Sequence, residues 1–239
     1  MAHTSGGAET LTDRYAAWRA STLGRITDSL ERDAILRCVA ARSGQHVLDA
    51  GCGDGALAGA LDAAGVRVTG IDADPAMLAA ARSRGGGFSL VRGDVRALPF
   101  PDNHFDAAVA VTVLCLVDDP GRVVGEMARV VRPGGRIVLG ELGRWSLWAL
   151  ERRLRGWVTG SFWSSATFWT AGGLRRLMAG VGLSPGPARG AVYYPRCALG
   201  ARMVRIVDPW LGRLTPVGAA FLVVAGSKPG PDLAAGKSP

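Results

Sequence analysis

Long apolar runs are absent from this chain of 239 residues. The two longest, Ala107 to Val117 and Val217 to Ala225, fall well short of the ~20 residues that a membrane-spanning helix needs, so both read as buried strands. No positively charged start with an apolar core and cleavage site opens the sequence, so no secretory leader is expected. Cysteine is scarce: Cys38, Cys52, Cys115 and Cys197 are scattered, and His3, His46 and His104 lie near none of them at ligand spacing. That pattern argues against a metal site and against a disulfide framework, and a reducing cytoplasm is the expected setting. Lysine is sparse too, and no internal repeat is visible. What the chain has is enough apolar residues for one good core, or a core plus a lid.

The net charge of +8 is unevenly placed. From Gly143 to Arg213 there are eleven arginines against Glu151 and Asp208, whereas the rest of the chain carries 17 basic and 18 acidic residues. Six of the seven tryptophans share that stretch: Trp145, Trp148, Trp157, Trp163, Trp169 and Trp210. A different unit therefore begins at Gly143.

The centre of the chain is Val47-Leu48-Asp49-Ala50-Gly51-Cys52-Gly53-Asp54-Gly55, a strand that ends in a carboxylate and enters three glycines, followed by a helix start at residues 56–61. A backbone that reverses so sharply must visit positive φ, and a missing Cβ lets a ligand lie against the main chain. Asp54 is placed to cap the helix, whose free N–H groups and partial positive charge face the loop. Gly51-x-Gly53-x-x-Ala56 also satisfies the permissive dinucleotide pattern, so a NAD reading is open here. Asp49 tilts against it, because a carboxylate can organise the loop or receive a cationic group, whereas a pyrophosphate gains nothing from one.

The remaining pattern alternates strands and helices. Helices are expected over 9–20 and 25–41, with Tyr15 and Trp18 either packing on the second helix or covering the site's opening. A strand over 66–72 ends in Asp72, 21 residues after Gly51, where a βαβ unit brings an acid to the edge of a bound ribose. Asp74 and Pro75 then start a helix, and Met77 can offer apolar atoms to an adenine face. A third strand over 88–91 leads into Gly93-Asp94-Val95, where Asp94 can accept from an adenine amino group and the Val95 N–H can meet a ring nitrogen. Residues 105–117 read as a long central strand, 118–131 as a helix, Arg132-Pro133-Gly134-Gly135 as a turn, and the residues after it as strand five.

Taken in order, the glycine loop, Asp72, the run Gly93-Asp94-x-x-x-Leu98-Pro99-Phe100-x-Asp102-x-x-Phe105-Asp106 and the Arg-Pro-Gly-Gly turn resemble the class I S-adenosylmethionine (SAM) dependent methyltransferases. Within them the motifs are similar to the type 11 group of ubiquinone and menaquinone biosynthesis. The resemblance is tight over residues 45–142. It implies a Rossmann-like, seven-stranded, mostly parallel sheet with helices on both faces, an antiparallel last strand and a helical cap. It also implies SAM as cofactor: Asp49, Gly51, Cys52 and Gly53 hold the methionine end, Asp72 with Ala73 the ribose edge, Met77, Asp94 and Val95 the adenine, and Val111 passes near the methionine part. The expected division is 1–8 disordered, 9–42 N-terminal helices, 43–142 cofactor core, 143–185 basic tryptophan-rich cap, 186–226 strands and helix completing the sheet, and 227–239 a flexible tail.

In the cap, a helix from about Arg144 puts Leu147, Leu150, Leu154, Trp157 and Val158 on one face, with Trp145 and Trp148 opposite, among Arg144, Arg152 and Arg155. Those tryptophans either pack beneath a loop, with Trp148 over Arg152 as a cation–π pair, or meet substrate. An irregular link over 161–170, a helix over 171–179, a strand over 188–195, a helix over 202–211 and a last strand over 217–225 complete the reading. The substrate candidates are Tyr15, Trp18, Trp145, Trp148, Arg152, Tyr193 and Tyr194. No catalytic base is assigned; Tyr15, Tyr193, Tyr194 and His104 are the candidates, and an activated methyl makes a base optional. The expected reaction is in-line methyl transfer to a small amphipathic or aromatic molecule, with peripheral membrane contact open and the oligomeric state unassigned. Rivals are an RNA methyltransferase using the basic stretch as a phosphate track, a SAM-binding protein without catalysis, and a nicotinamide oxidoreductase.

Overall fold

The computed structural model describes residues 17–156 and 166–230, with side chains given for all of these except 152–156. Tyr15, the expected helix over 9–20 up to its last turn, the Arg152 side chain and the two chain ends lie outside the described residues. The elements in order are α1 (Thr22–Val39), β1 (His46–Ala50), α2 (Ala56–Ala63), β2 (Arg67–Asp72), α3 (Pro75–Arg84), β3 (Ser89–Arg92), β4 (Phe105–Val111), α4 (Pro120–Val130), β5 (Val131–Leu142), α5 (Leu147–Gly156), α6 (Ala171–Gly180), β6 (Ser184–Ala191), α7 (Ala198–Val204), α8 (Asp208–Leu214) and β7 (Phe221–Ser227).

Helix starts follow side-chain chemistry. Ser21 caps α1 by accepting from Gly24 N at 2.9 Å, and Asp74 and Asp119 cap α3 and α4 with proline in the first turn. Within the strands, alternation sorts side chains between two cores. Leu48, Ala108, Ile137 and Leu139 pack with Val123 and Met127 of α4 and Met178 of α6 on one face. On the other, Val47, Val109 and Val138 pack with Leu30, Ala34 and Ile35 of α1 and Leu61 of α2. Both faces of the sheet are thus covered, as an apolar parallel sheet requires.

The seven strands lie in the order β3-β2-β1-β4-β5-β7-β6, with β7 alone antiparallel to its neighbours. This is the expected Rossmann-like class with an antiparallel last strand. The order reverses between β1 and β4, and a crevice opens outside the carboxyl ends at such a switch point. The Pro133-Gly134-Gly135 turn survives as a bulge inside β5, where the register jumps from Phe105↔Val131 to Ala107↔Arg136.

Four expected boundaries shift. β4 ends at Val111 instead of near 117, because Thr112, whose N–H makes the last bond to β5 at Gly140 O, takes a φ of 53° and turns the chain out of the sheet. β6 covers Ser184–Ala191 rather than 188–195, because Asp208 takes the N–H groups of Val192 and Tyr193 at 3.0 and 2.9 Å and removes them from the ladder. β7 covers Phe221–Ser227, rather than 217–225, in register with β5. The helix over 202–211 is two, α7 and α8. Among the described residues no helix is long and apolar enough to cross a membrane, and no group of His, Cys, Asp or Glu could hold a metal ion.

Candidate functional site

Outside the carboxyl ends of β1, β2, β3 and β4 lies a cleft of about 600 Å³, within the size range of small-molecule sites. Its floor is the glycine loop. Gly51 sits at φ 75°, and a Cβ there would drive into the Val113 side chain. The N–H groups of Gly51 and Cys52 both go to Ile71 O, at 2.8 and 3.0 Å, and Gly53 N donates to Asp72 Oδ2 at 2.8 Å. The loop's donors are spent on β2, so it offers no row of N–H groups to a pyrophosphate, which separates it from a dinucleotide cradle.

Carboxylates dominate the floor. Asp49 is buried, and its Oδ2 has no hydrogen-bond partner among the described residues. Burial, then the charges of Asp72 and Asp54, push its carboxyl up to about 7, against a backbone N–H from Ala58. A buried oxygen without a partner among like charges suits a cationic group. Asp72 Oδ1 also accepts from Asp74 N at 2.9 Å, which aims the carboxylate along the cleft's rim.

Gly55 occupies the cap position of α2 itself, one residue later than expected, although Asp54 Oδ1 still accepts from Ala56 N at 3.4 Å; Asp54 also takes both oxygens to Arg19 Nη1, at 2.9 and 2.8 Å, and pairs with Arg84 at 2.7 Å. Arg19 also pairs with Asp28 of α1, so the turn over 17–20 is tied across the cleft's edge. Trp18 packs against the core face under α1, and its neighbour Arg19 reaches the cleft. The sequence reading missed Arg19; its only signal was a cation beside an aromatic residue.

The wall beyond β3 is stapled from behind. Arg129 donates to the carbonyls of Leu98 and Phe100 and pairs with Asp102 and Glu126, and Glu126 accepts from Leu98 N at 2.8 Å. Asp106 holds His46 N and pairs with Arg132. Arg129, Glu126 and Asp102 therefore brace the segment that follows Asp94 and Val95, whereas Asp106 and Arg132 act at the amino ends of β1 and β4. Asp94 itself is paired with Arg96 at 2.8 Å, which holds its carboxyl below the usual range. The opposite wall is Thr112, Val113, Leu116 and Val117. Glu141, fully buried at the end of β5, holds it by accepting from Val113 N and Leu114 N at 3.1 and 2.7 Å, and burial pushes this carboxyl up to about 8.

All ten residues expected at the cofactor, Asp49, Gly51, Cys52, Gly53, Asp72, Ala73, Met77, Asp94, Val95 and Val111, line this one cleft. The described substrate candidates do not. Trp148 is 7% exposed, donates its indole N–H to Tyr194 O at 2.7 Å and has Arg196 over its ring. The expected faces of α5 are reversed: Leu147 and Leu150 are exposed while Trp148 is core, because the carbonyl of Tyr194, freed from the β6 ladder, is where an indole N–H finds a partner. Trp145 is 63% exposed beneath Arg144. Tyr194 is buried with its hydroxyl on Thr27 at 2.9 Å, Tyr193 donates to Thr215 O, and burial pushes both phenols up to about 12. Neither suits a base. His104 stacks with His46 and Phe105 at the amino ends of β1 and β4, the far edge from the cleft.

Residues 48–139 match the family described as Methyltransferase domain. The chain is 36% identical over 155 residues to demethylmenaquinone methyltransferase of Thermobifida fusca, covering 62% of this chain and 64% of that protein. It is 34% identical over 122 residues to malonyl-[acyl-carrier protein] O-methyltransferase of Serratia marcescens, covering 50% and 48%. It spans about half the length of the curated relatives it matches. Among solved structures, a SAM-dependent methyltransferase from Thermotoga maritima, titled a possible histamine N-methyltransferase, superposes with a TM-score of 0.72 at 23% identity over 92% of this chain and 97% of that one. The [4+2]-cyclase SpnF superposes at 0.61, also with 23% identity, over 83% and 80%. The methyltransferase-domain match thus falls on the strands β1 to β5 that build the acid-floored cleft, and the sheet has the fold of the solved SAM-dependent methyltransferase.

Proposed function

We propose that the protein transfers the methyl group of SAM to a small amphipathic or aromatic acceptor, and that the cleft is where it does so. The observation that carries this reading is the unpartnered, buried Asp49 Oδ2 beside Asp72 and Asp54, a floor suited to a cationic nucleoside. Asp49 with the loop 51–53 holds the methionine end, Asp72 and Ala73 the ribose, and Met77, Asp94 and Val95 the adenine. SAM supplies an already activated methyl; the chain's part is to align the acceptor and keep water out. Among the described lining residues there is no histidine or tyrosine, which fits transfer without a dedicated base. Val113, Leu116 and Val117 give the acceptor an apolar wall, and the demethylmenaquinone named for several relatives is an acceptor of that amphipathic kind.

Titration calorimetry with S-adenosylhomocysteine should show binding that Asp49→Asn weakens at least about tenfold. Incubation with methyl-labelled SAM and a metabolite extract should then label an organic-soluble product; label found only in RNA would select the RNA methyltransferase instead. SpnF shows a cyclase on this same fold, which favours a second reading in which SAM is bound but its methyl is retained. Binding without any labelled product from extract would select that one.

A further inference from the structure

We propose that α7 and α8 form a docking face for an anionic lipid bilayer. The backbone stays close to helical through the junction: Arg205 and Val207 are in the right-handed region, and Val207 N and Trp210 N bond back to Val204 O and Val207 O. Three-to-four spacing therefore runs unbroken across both helices. The inner row, Ala201, Asp208 and Gly212, is buried against α1 and β6, and Gly212 packs so close to the Gly190 carbonyl that no Cβ fits. The outer row, Leu199, Met203, Ile206, Trp210, Leu214 and then Val217, is left in solvent; Ile206 is 79% exposed, Met203 71% and Trp210 62%.

Charge decides what fits this ridge. Arg202, Arg205 and Arg213 stand exposed along it, with Arg196 just before it. Between Ala191 and Lys228 the only acid is Asp208, which is buried with both oxygens on backbone N–H groups. The outer face is thus apolar and purely cationic. Ordinary solvated surfaces mix both signs. Apolar side chains sunk to the acyl boundary, an indole at headgroup depth and arginines reaching phosphate are what an interfacial helix presents to anionic lipid. Because β6 runs parallel to β4 and β5, the ridge leaves the sheet at the same edge as the cleft, and Gly218 beyond it bridges to Ser146 before α5. Docking there would set the methyl-transfer site beside a reservoir of amphipathic molecules, but none of the ridge residues lines the cleft.

The test is flotation of the full chain with phosphatidylcholine vesicles, with and without phosphatidylglycerol, alongside calorimetry with S-adenosylhomocysteine. Binding should favour the anionic vesicles by more than about tenfold and fall with salt. Ile206→Ser with Trp210→Ser should abolish it, and Arg202→Gln with Arg205→Gln and Arg213→Gln should remove the anionic preference, with nucleoside affinity unchanged in both. Equal or absent binding to the two vesicle types, or an unaffected Ile206/Trp210 variant, would overturn the proposal. So would a wild-type dimer in solution that this variant dissolves, since a second copy would then own the face. Nucleoside binding is read separately, so failure here leaves the cleft assignment standing.

Discussion

Two buried carboxyl groups carry the chemistry of single residues, and both bind their protons more tightly folded than unfolded. Asp49 at about 7 and Glu141 at about 8 are held there first by burial. The stability this gives is complete below the unfolded carboxylate value and is lost as pH rises through the folded values, so the ligand-free protein should be less stable at pH about 8.5 than at about 5, by several degrees in Tm. Asp49→Asn and Glu141→Gln together should flatten that slope in a thermal melt series. Ionised Asp49 is also the form that meets a cation, so S-adenosylhomocysteine should bind more tightly as pH rises from about 5 to about 8; a falling affinity would contradict the role given to Asp49. Tyr194→Phe separates structure from catalysis: it should cost about 1 kcal/mol by urea unfolding and leave kcat unchanged, since the hydroxyl meets Thr27 and not the cleft.

Elements here are held by side chains reaching main-chain N–H groups that a ladder or helix leaves over. Asp208 at the head of α8 ends β6 by taking two N–H groups, and Glu141 takes the two N–H groups that follow Thr112 in the turn after β4. Removing either acceptor strands buried donors. Asp208→Ala should cost about 2–3 kcal/mol in chemical denaturation. Glu141→Ala should cost a similar amount and also loosen the Val113–Val117 wall, so that acceptor KM rises more than nucleoside affinity falls. Arg19→Ala cuts the tie between the turn over 17–20 and the glycine loop; it should weaken S-adenosylhomocysteine by about three- to tenfold while changing stability by under about 1 kcal/mol.

At the scale of the whole molecule, charge of opposite sign is divided between the cleft and the later part of the chain. The cleft floor gathers Asp49, Asp54 and Asp72, while the chain after Gly143 carries the arginine excess. Buried pairing is weakly screened and exposed charge strongly so. Nucleoside affinity should therefore change by less than about twofold between about 0.05 and about 0.5 M salt, over which any binding to polyanions or anionic vesicles falls steeply. A salt dependence of equal size for both would mean that the nucleoside is held by exposed arginines and not in the cleft.

The alternation of strands and helices, the glycine loop and the acid-tipped strands at 49, 72 and 94 were legible in the chain itself, because helical and strand periodicity, capping and turn chemistry act between residues a few positions apart. Parallel order then brings those strand ends to one edge with little freedom. What only the tertiary structure decided were pairings across long separations: Arg19 with Asp54, 35 positions away, Glu141 with Leu114, 27 away, and Trp148 with Tyr194, 46 away. The tryptophans were misplaced for the same reason. A helical wheel gives the angle between side chains, and only the partner packed against the helix selects which angle is buried; for α5 that partner was a carbonyl orphaned when Asp208 stopped β6.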